Sequence, residues 1–72
     1  MAYSLELDVE YILEIMAARD MSKSDLARAI PTTRQRIWKI FELRPITQAA
    51  AIANALEIED PRELIAVIEK QQ

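Results

Sequence analysis

The sequence predicts a small all-α domain built from five short helices. Apolar residues recur at intervals of three and four along most of the chain, which is the spacing of one helix face. Residues that start helices stand before each of these stretches, and prolines follow two of them. The chain has 72 residues, so we expect residues 1–72 to form a single domain with a modest core.

The first residues are predicted to form an arm that leads into helix 1. Residues 3–8 alternate between apolar and polar side chains, which is the period of a strand. They could equally form a loose arm over residues 1–8, because chain termini are often poorly ordered. Asp8 is a candidate N-cap for a helix over about residues 9–19. One face of that helix carries Val9, Ile12, Leu13 and Met16.

The second predicted helix is short and ends at a proline. Ser22, with Asp25 three residues later, forms a variant of the capping box that marks helix starts. Pro31 cannot continue a helix, and a proline disfavours helical backbone angles at the residue before it. We therefore expect helix 2 over about residues 23–30, with Ile30 pushed out of the helical region.

The third helix should begin within a few residues, because Thr32 and Thr33 are both candidate N-caps. Thr32 would form a capping box with Gln35. The helix then spans about residues 34–42 and ends before Pro45. One face carries Ile37, Ile40 and Phe41. Another face carries Arg34, Gln35, Trp38 and Lys39.

Two further helices complete the predicted fold. Residues 48–56 are rich in alanine, the best helix former, and Thr47 is a candidate N-cap before them. The clearest start signal of the chain opens helix 5, with Asp60 as N-cap, then proline, then Glu63. We expect helix 5 over about residues 61–70. Its buried side should carry Leu64, Ile65 and Ile68.

Composition excludes several classes of function. The chain has no His, no Cys and no Gly. We therefore expect no enzyme, because the commonest general base, the thiol nucleophile and glycine-rich phosphate loops are all missing. We also expect no cofactor and no metal, since thiolate and imidazole ligands are absent. No apolar run approaches the length of a membrane span and no secretory leader is evident, so a cytoplasmic location is expected.

The net charge of −3 conceals a basic central segment. Residues 1–18 sum to −4 and residues 45–72 to −3, whereas residues 19–44 sum to +4. The basic residues of this segment are Arg19, Lys23, Arg28, Arg34, Arg36, Lys39 and Arg44. They could form an ordinary solvated surface or a patch for a negatively charged partner. Predicted helices 2 and 3 both lie in this segment.

Helices 2 and 3 have the arrangement of a helix-turn-helix DNA reader, in which the second helix enters the major groove. The chain resembles the Cro/C1-type (Xre-like) helix-turn-helix repressors of phages and bacteria over about residues 9–68. The resemblance rests on residues 21–30, on Thr33, Ile37 and Ile40, and on residues 52–56 and 60–64. It implies a compact five-helix, lambda-repressor-like fold with the motif at helices 2 and 3. The family usually has glycine where Pro31 stands here.

The resemblance also implies which side chains face DNA. The base contacts would be Thr33, Arg34, Gln35, Trp38 and Lys39. The phosphate contacts would be Ser22, Lys23, Ser24, Arg36 and Arg44. Arginine can read guanine and glutamine can read adenine with two hydrogen bonds each, which favours Arg34 and Gln35 for base edges. Trp38 could equally pack against the domain, because tryptophan is mostly buried on average.

These expectations describe a transcriptional regulator, a phage- or prophage-type repressor that binds double-stranded DNA as a homodimer on a palindromic operator. The candidate dimer contacts are Tyr3, Leu5, Leu7, Ile15, Ile58 and Ile65. A strand contact through residues 3–7 and a contact through helix 5 are both open. One alternative is an antitoxin that binds DNA and a protein toxin. Another is a protein-interaction module that kept the fold and lost DNA binding.

Overall fold

The computed structural model describes residues 2–70 and combines helices with a small sheet. Its helices and strands are β1 (Ala2–Leu7), α1 (Val9–Ala18), α2 (Lys23–Ala29), α3 (Arg34–Leu43), α4 (Ala49–Ala55) and β2 (Ile65–Lys70). Short 3-10 turns over Ile46–Gln48 and Pro61–Leu64 precede α4 and β2. The predicted all-α, five-helix fold is therefore wrong. Met1, Gln71 and Gln72, which the predicted domain includes, lie outside the described residues.

The error lies at the fifth helix. Asp60 does act as a cap, because its carboxylate accepts a hydrogen bond of 3.0 Å from the backbone N–H of Arg62. The helical backbone nevertheless lasts only for Pro61–Leu64. A continuous apolar run such as residues 64–68 suits a helix or a strand, and here a strand partner is present. Tertiary pairing therefore overrides the helix start signal.

That partner is the N-terminal segment, which forms β1 rather than a loose arm. β1 and β2 are antiparallel, with Leu7 opposite Ile65 and Leu5 opposite Val67. Leu7 is fully buried at the base of the sheet. Towards the other end of the sheet, Leu5 (54 % exposed) and Val67 (65 %) lie open on the same face. We call this two-stranded sheet, residues 2–7 and 65–70, the ribbon.

Three helices begin at the predicted caps. The Asp8 carboxylate accepts from the N–H of the third residue of α1 at 3.2 Å. At α2, both halves of the Ser22–Asp25 capping box are present. Of the two threonines before α3, Thr33 is the cap. The predicted cap for α4 is wrong, because Thr47 lies inside a 3-10 turn and makes no cap hydrogen bond.

The turn between α2 and α3 is built without a left-handed residue. Ile30 keeps right-handed helical angles (φ −75°, ψ −22°), so the expectation that Pro31 pushes it out of the helical region is wrong. The N–H of Thr32 reaches back to the carbonyl of Ala27 at 2.6 Å. That hydrogen bond closes the end of α2 although proline has no N–H to donate.

One core joins the sheet to the helices. Its buried members are Leu7, Val9, Ile12, Met16, Leu26, Ala27, Ile37, Ile40, Phe41, Ala49, Ile52, Ala53, Leu56 and Leu64. Leu13, predicted on the inner face of helix 1, is partly exposed instead. The core therefore holds one side of α3 against α2 and leaves the other side open. Within the described residues, no helix is both long and apolar enough to cross a membrane.

Candidate nucleic-acid interface

The helices α2 and α3 form a packed pair with one outward face. Four residues separate Ala29 at the end of α2 from Arg34 at the start of α3. Leu26 of α2 and Ile37 of α3 are fully buried, so apolar packing fixes the two helices to each other. A rotation of 100° per residue places Gln35 on the opposite side of α3 from these contacts.

The predicted base contacts all lie on the exposed surface of α3 or at its cap. Thr33, Arg34, Gln35, Trp38 and Lys39 are exposed. Gln35 and Lys39 lie near the centre of the outward face, and Arg34 and Trp38 lie on the flank nearest α2. Trp38 is 57 % exposed, so the core does not contain it. The five side chains are therefore exposed along α3 or at its cap, but they are spread from the flank nearest α2 to the opposite flank.

Three of the basic residues of segment 19–44 are occupied by other groups of the protein. Arg28 forms an ion pair with Asp25 at 2.5 Å, and Arg19 donates to the carbonyl of Leu56. Arg44 donates two hydrogen bonds of 2.8 Å to the carboxylate of Glu10.

The other four basic residues of this segment are Lys23, Arg34, Arg36 and Lys39. None of them has a carboxylate partner within residues 2–70 as described. All four lie on α3 or against it, so the free positive charge of the central segment is concentrated around one helix.

Two predicted phosphate contacts have intramolecular partners. The Arg44 hydrogen bonds lower the pKa of the Glu10 carboxyl and raise the pKa of the Arg44 guanidinium. The Ser22 hydroxyl donates to the Asp25 carboxylate at 2.9 Å and accepts from the Asp25 N–H at 3.1 Å. Either group would have to leave its partner before it could bind a phosphate. Ser24, a third predicted phosphate contact, is partly exposed.

The Lys23 ammonium rests on aromatic rings at the junction of α2 and α3. It lies over the Trp38 ring, 4.1 Å from the ring centroid, and 5.5 Å from the centroid of Phe41. A cation over a ring face is attracted by the negative face of the aromatic quadrupole. Lys23, predicted to contact a phosphate, therefore connects the start of α2 to the middle of α3.

A groove runs along the other flank of α3. Its volume is about 680 Å³. The lining residues are Thr33, Gln35, Arg36, Lys39, Ile40, Leu43, Pro45, Thr47 and Gln48. The sequence did not predict the second wall, formed by Pro45, Thr47 and Gln48, because it depends on how the 3-10 turn folds back beside α3. The groove places polar groups of that turn opposite the basic residues Arg36 and Lys39.

An acidic residue interrupts the basic face. Glu42 is exposed and lies three residues after Lys39, so it shares the outward side of α3. The positive charge of α3 is therefore confined to its first six residues, Arg34 to Lys39. Negative charge follows in the last turn.

The candidate dimer contacts divide by burial. Leu7 is fully buried and so is unavailable to a partner. Ile15, Ile58 and Ile65 are partly buried and pack against the core. Tyr3 and Leu5 are exposed on β1, on the same face of the ribbon as Val67, which the sequence did not single out.

Comparisons with protein-family models, with curated proteins and with solved structures found no match to this chain. Among the described residues, no group of three or more acidic side chains is placed to hold a metal ion. The surface that can be argued from geometry is therefore the outward side of α3, with the groove beside it.

Proposed function

We propose that this protein binds double-stranded DNA by placing the first half of α3 in the major groove. The observation that carries the proposal is a group of four cations around the exposed side of α3 that have no carboxylate partner in the part of the chain that the structure describes: Lys23, Arg34, Arg36 and Lys39. Duplex DNA is a dense array of negative charge, and neutralising phosphates supplies much of the affinity of DNA-binding proteins. The major groove is wide enough to admit an α-helix.

The residues of α3 divide by the chemistry they offer. Arg34 can donate two parallel hydrogen bonds to guanine, and Gln35 can donate to and accept from adenine. Arg36 and Lys39 lie beside the groove and suit phosphate oxygens. A repressor that occupies a promoter site excludes polymerase from it. The resemblance to Cro/C1-type repressors suggests this mechanism. The chain then acts as a small transcriptional repressor.

The ribbon is our candidate for the contact between two copies. One recognition helix covers few base pairs, so a two-fold dimer on a palindromic site is the usual solution. An isolated two-stranded sheet is marginally stable in water, and this one exposes Tyr3, Leu5 and Val67 on one face. A specific interface takes about 800 Å² from each partner, more than three side chains supply. We therefore expect a weak dimer in solution that is completed on DNA.

Selection of bound sequences from a random pool of duplex DNA, followed by sedimentation of the complex, tests both parts. We expect an enriched palindrome and two chains per duplex. Leu5→Glu should leave binding to one half-site intact and abolish the two-chain complex. Leu13→Glu, an equally drastic change at a partly exposed leucine of α1, is the matched control.

The outcomes separate the candidate functions. No enrichment at low salt would contradict DNA binding and favour a protein-interaction module. A single chain on an enriched, non-palindromic site would contradict the dimer alone. The exposed face of the ribbon would then be available to a different protein, which is what the antitoxin alternative requires.

A further inference from the structure

Trp38 occupies an unusual position for the only tryptophan of the chain. Its large apolar ring is 57 % exposed, whereas Phe41, less than one turn later on the same helix, is only 9 % exposed. Burial of such a ring is strongly favourable, so the exposed part of Trp38 offers apolar surface to a partner. The exposed ring also lies between Arg34, one turn earlier, and Lys23 of α2.

The Lys23 ammonium determines which part of the ring is available. It covers one face of the indole at 4.1 Å, and the stem that carries it starts from the first residue of α2. The Ser22–Asp25 capping box fixes the backbone at that point. The part of the ring that Lys23 does not cover is therefore left open to solvent.

We propose that Trp38 recognises the 5-methyl group of a pyrimidine in the major groove, and that Lys23 is the positioning residue that holds the ring for this contact. The inference rests on the proposed function. Among the base edges of the major groove, thymine presents an apolar methyl group. Cytosine methylated at the same carbon presents the same chemistry. Arg34 and Gln35 bind hydrogen-bonding edges beside it.

Single-atom changes in the selected DNA test the contact. Replacing one thymine at a time by deoxyuridine removes only the methyl group. At one thymine per half-site we expect affinity to fall about four-fold, the equivalent of ~0.8 kcal/mol for one buried carbon. Replacing that thymine by cytosine, and then by 5-methylcytosine, distinguishes the two sources of the methyl group. The methylated cytosine should bind more tightly than the unmethylated one.

Variants of Trp38 separate the ring from its N–H. Trp38→Ala should bind the thymine and deoxyuridine sites equally, whereas Trp38→Phe should keep most of the discrimination. If Trp38→Phe and Trp38→Ala weaken binding equally on every site, the indole N–H bonds a phosphate and the proposal is overturned.

Variants of Lys23 test the positioning role. Lys23→Met keeps the stem but removes the ammonium, and should reduce the thymine-to-deoxyuridine ratio. Lys23→Arg restores a cation over the ring and should restore the ratio. In the free protein, Lys23→Met should increase quenching of Trp38 fluorescence by acrylamide, whereas the control Lys39→Met should not. Unchanged quenching and an unchanged ratio in Lys23→Met would overturn the positioning role.

The failures of the two proposals are distinguishable. If the protein selects a site but deoxyuridine has no effect at any thymine, the methyl contact is wrong and DNA binding stands. If the protein selects no site at all, both proposals fail.

Discussion

Asp25 combines a helix cap with an ion pair in one carboxylate. Its oxygens accept from the backbone N–H and the hydroxyl of Ser22 and from the guanidinium of Arg28. These hydrogen bonds, with the Ser22 N–H as the largest cause, lower the pKa of Asp25 from 3.8 to about 2. The carboxylate therefore stays charged in conditions where an ordinary aspartate is protonated, and the start of α2 depends on that charge.

This dependence predicts how stability changes with pH. A carboxyl whose pKa is lower in the folded state stabilises the fold above its unfolded pKa, near 3.8, and loses that contribution as pH falls towards 2. Asp25→Asn should therefore melt at a lower temperature than the wild type at pH 7. The difference should shrink between pH 4 and pH 2.

The measurement is thermal unfolding across that pH range. Glu59→Gln is the control, because Glu59 has no ion pair among the residues that the structure describes. An equal difference between Asp25→Asn and the wild type at pH 7 and pH 2 would contradict the role of the charge.

Glu42 places a negative charge on the proposed DNA face, three residues after Lys39. Glu42→Gln should bind duplex DNA about two- to five-fold more tightly at low salt, because the repulsion of phosphates is removed, and the gain should fade as salt screens it. Titrations at two salt concentrations measure this. Glu63→Gln, on the turn before β2, should change affinity little. A loss of affinity in Glu42→Gln would mean that this carboxylate contacts DNA directly.

At the scale of elements, the sequence predicted the helix starts that depend on nearby side chains. The starts of α1, α2 and α3 follow from side chains within three residues of each cap. The strand β2 could not be predicted in this way, because its residue Ile65 pairs with Leu7, which is far away in the sequence. An apolar run cannot reveal such a partner by its own period.

In the candidate site, too, local features could be predicted and long-range contacts could not. The outward face of α3 follows from helical periodicity and was predicted. The partners of Arg44 and Lys23 were not, because Glu10 and Trp38 approach them only when separate elements pack. A basic residue that is counted as available in the sequence can therefore be occupied in the fold.

Helix ends in this chain use side-chain-bearing residues where glycine is usual. Asp20 after α1, Arg44 after α3 and Glu57 after α4 have left-handed angles (φ 52°, 53° and 58°). Hydrogen bonds close the first and last of these ends, from Met21 to Met16 at 2.8 Å and from Ile58 to Ala53 at 2.8 Å. This is the Schellman arrangement, and glycine is favoured at its left-handed position because a Cβ atom is strained there.

Glycine should therefore stabilise the protein at these positions. Glu57→Gly should raise the free energy of unfolding by about 0.5–1 kcal/mol, the strain relieved less the entropy that glycine adds to the unfolded chain. Asp20→Gly should give less, because aspartate tolerates the left-handed region better. Denaturant unfolding measures both, and Ala17→Gly within α1 should instead cost about 1 kcal/mol. If all three changes destabilise, the left-handed positions carry no strain.

At the scale of the whole molecule, the fold separates basic residues that have carboxylate partners from basic residues that do not. The acidic segments contribute the ribbon and α1, and their carboxylates occupy basic residues that lie away from the α3 face, such as Arg44 and Arg62. Of the basic residues of segment 19–44, those without a hydrogen-bonded or ionic partner among residues 2–70 as described lie around α3. A net charge of −3 therefore does not describe the surface that we propose for DNA, where Glu42 lies beside four basic residues.

The salt dependence of DNA binding should distinguish these two groups of basic residues. Arg36→Gln and Lys39→Gln should each reduce the slope of log affinity against log salt by about 1, since each phosphate contact releases about one counterion. Arg62→Gln removes the same charge from a residue paired with Asp60, and should leave the slope unchanged. Equal slopes for all three variants would show that the cations act only through net charge.

Arg44 connects the end of α3 to both β1 and α1. Its carbonyl accepts from the N–H of Leu7 at 3.0 Å, and its guanidinium is bound to Glu10 of α1. The same residue thus holds the end of α3 at the base of the ribbon. If two copies meet through their ribbons, the contacts of Arg44 with Leu7 and Glu10 fix the distance between the two α3 helices. The spacing of half-sites on DNA then depends on how firmly Arg44 holds α3 to the ribbon.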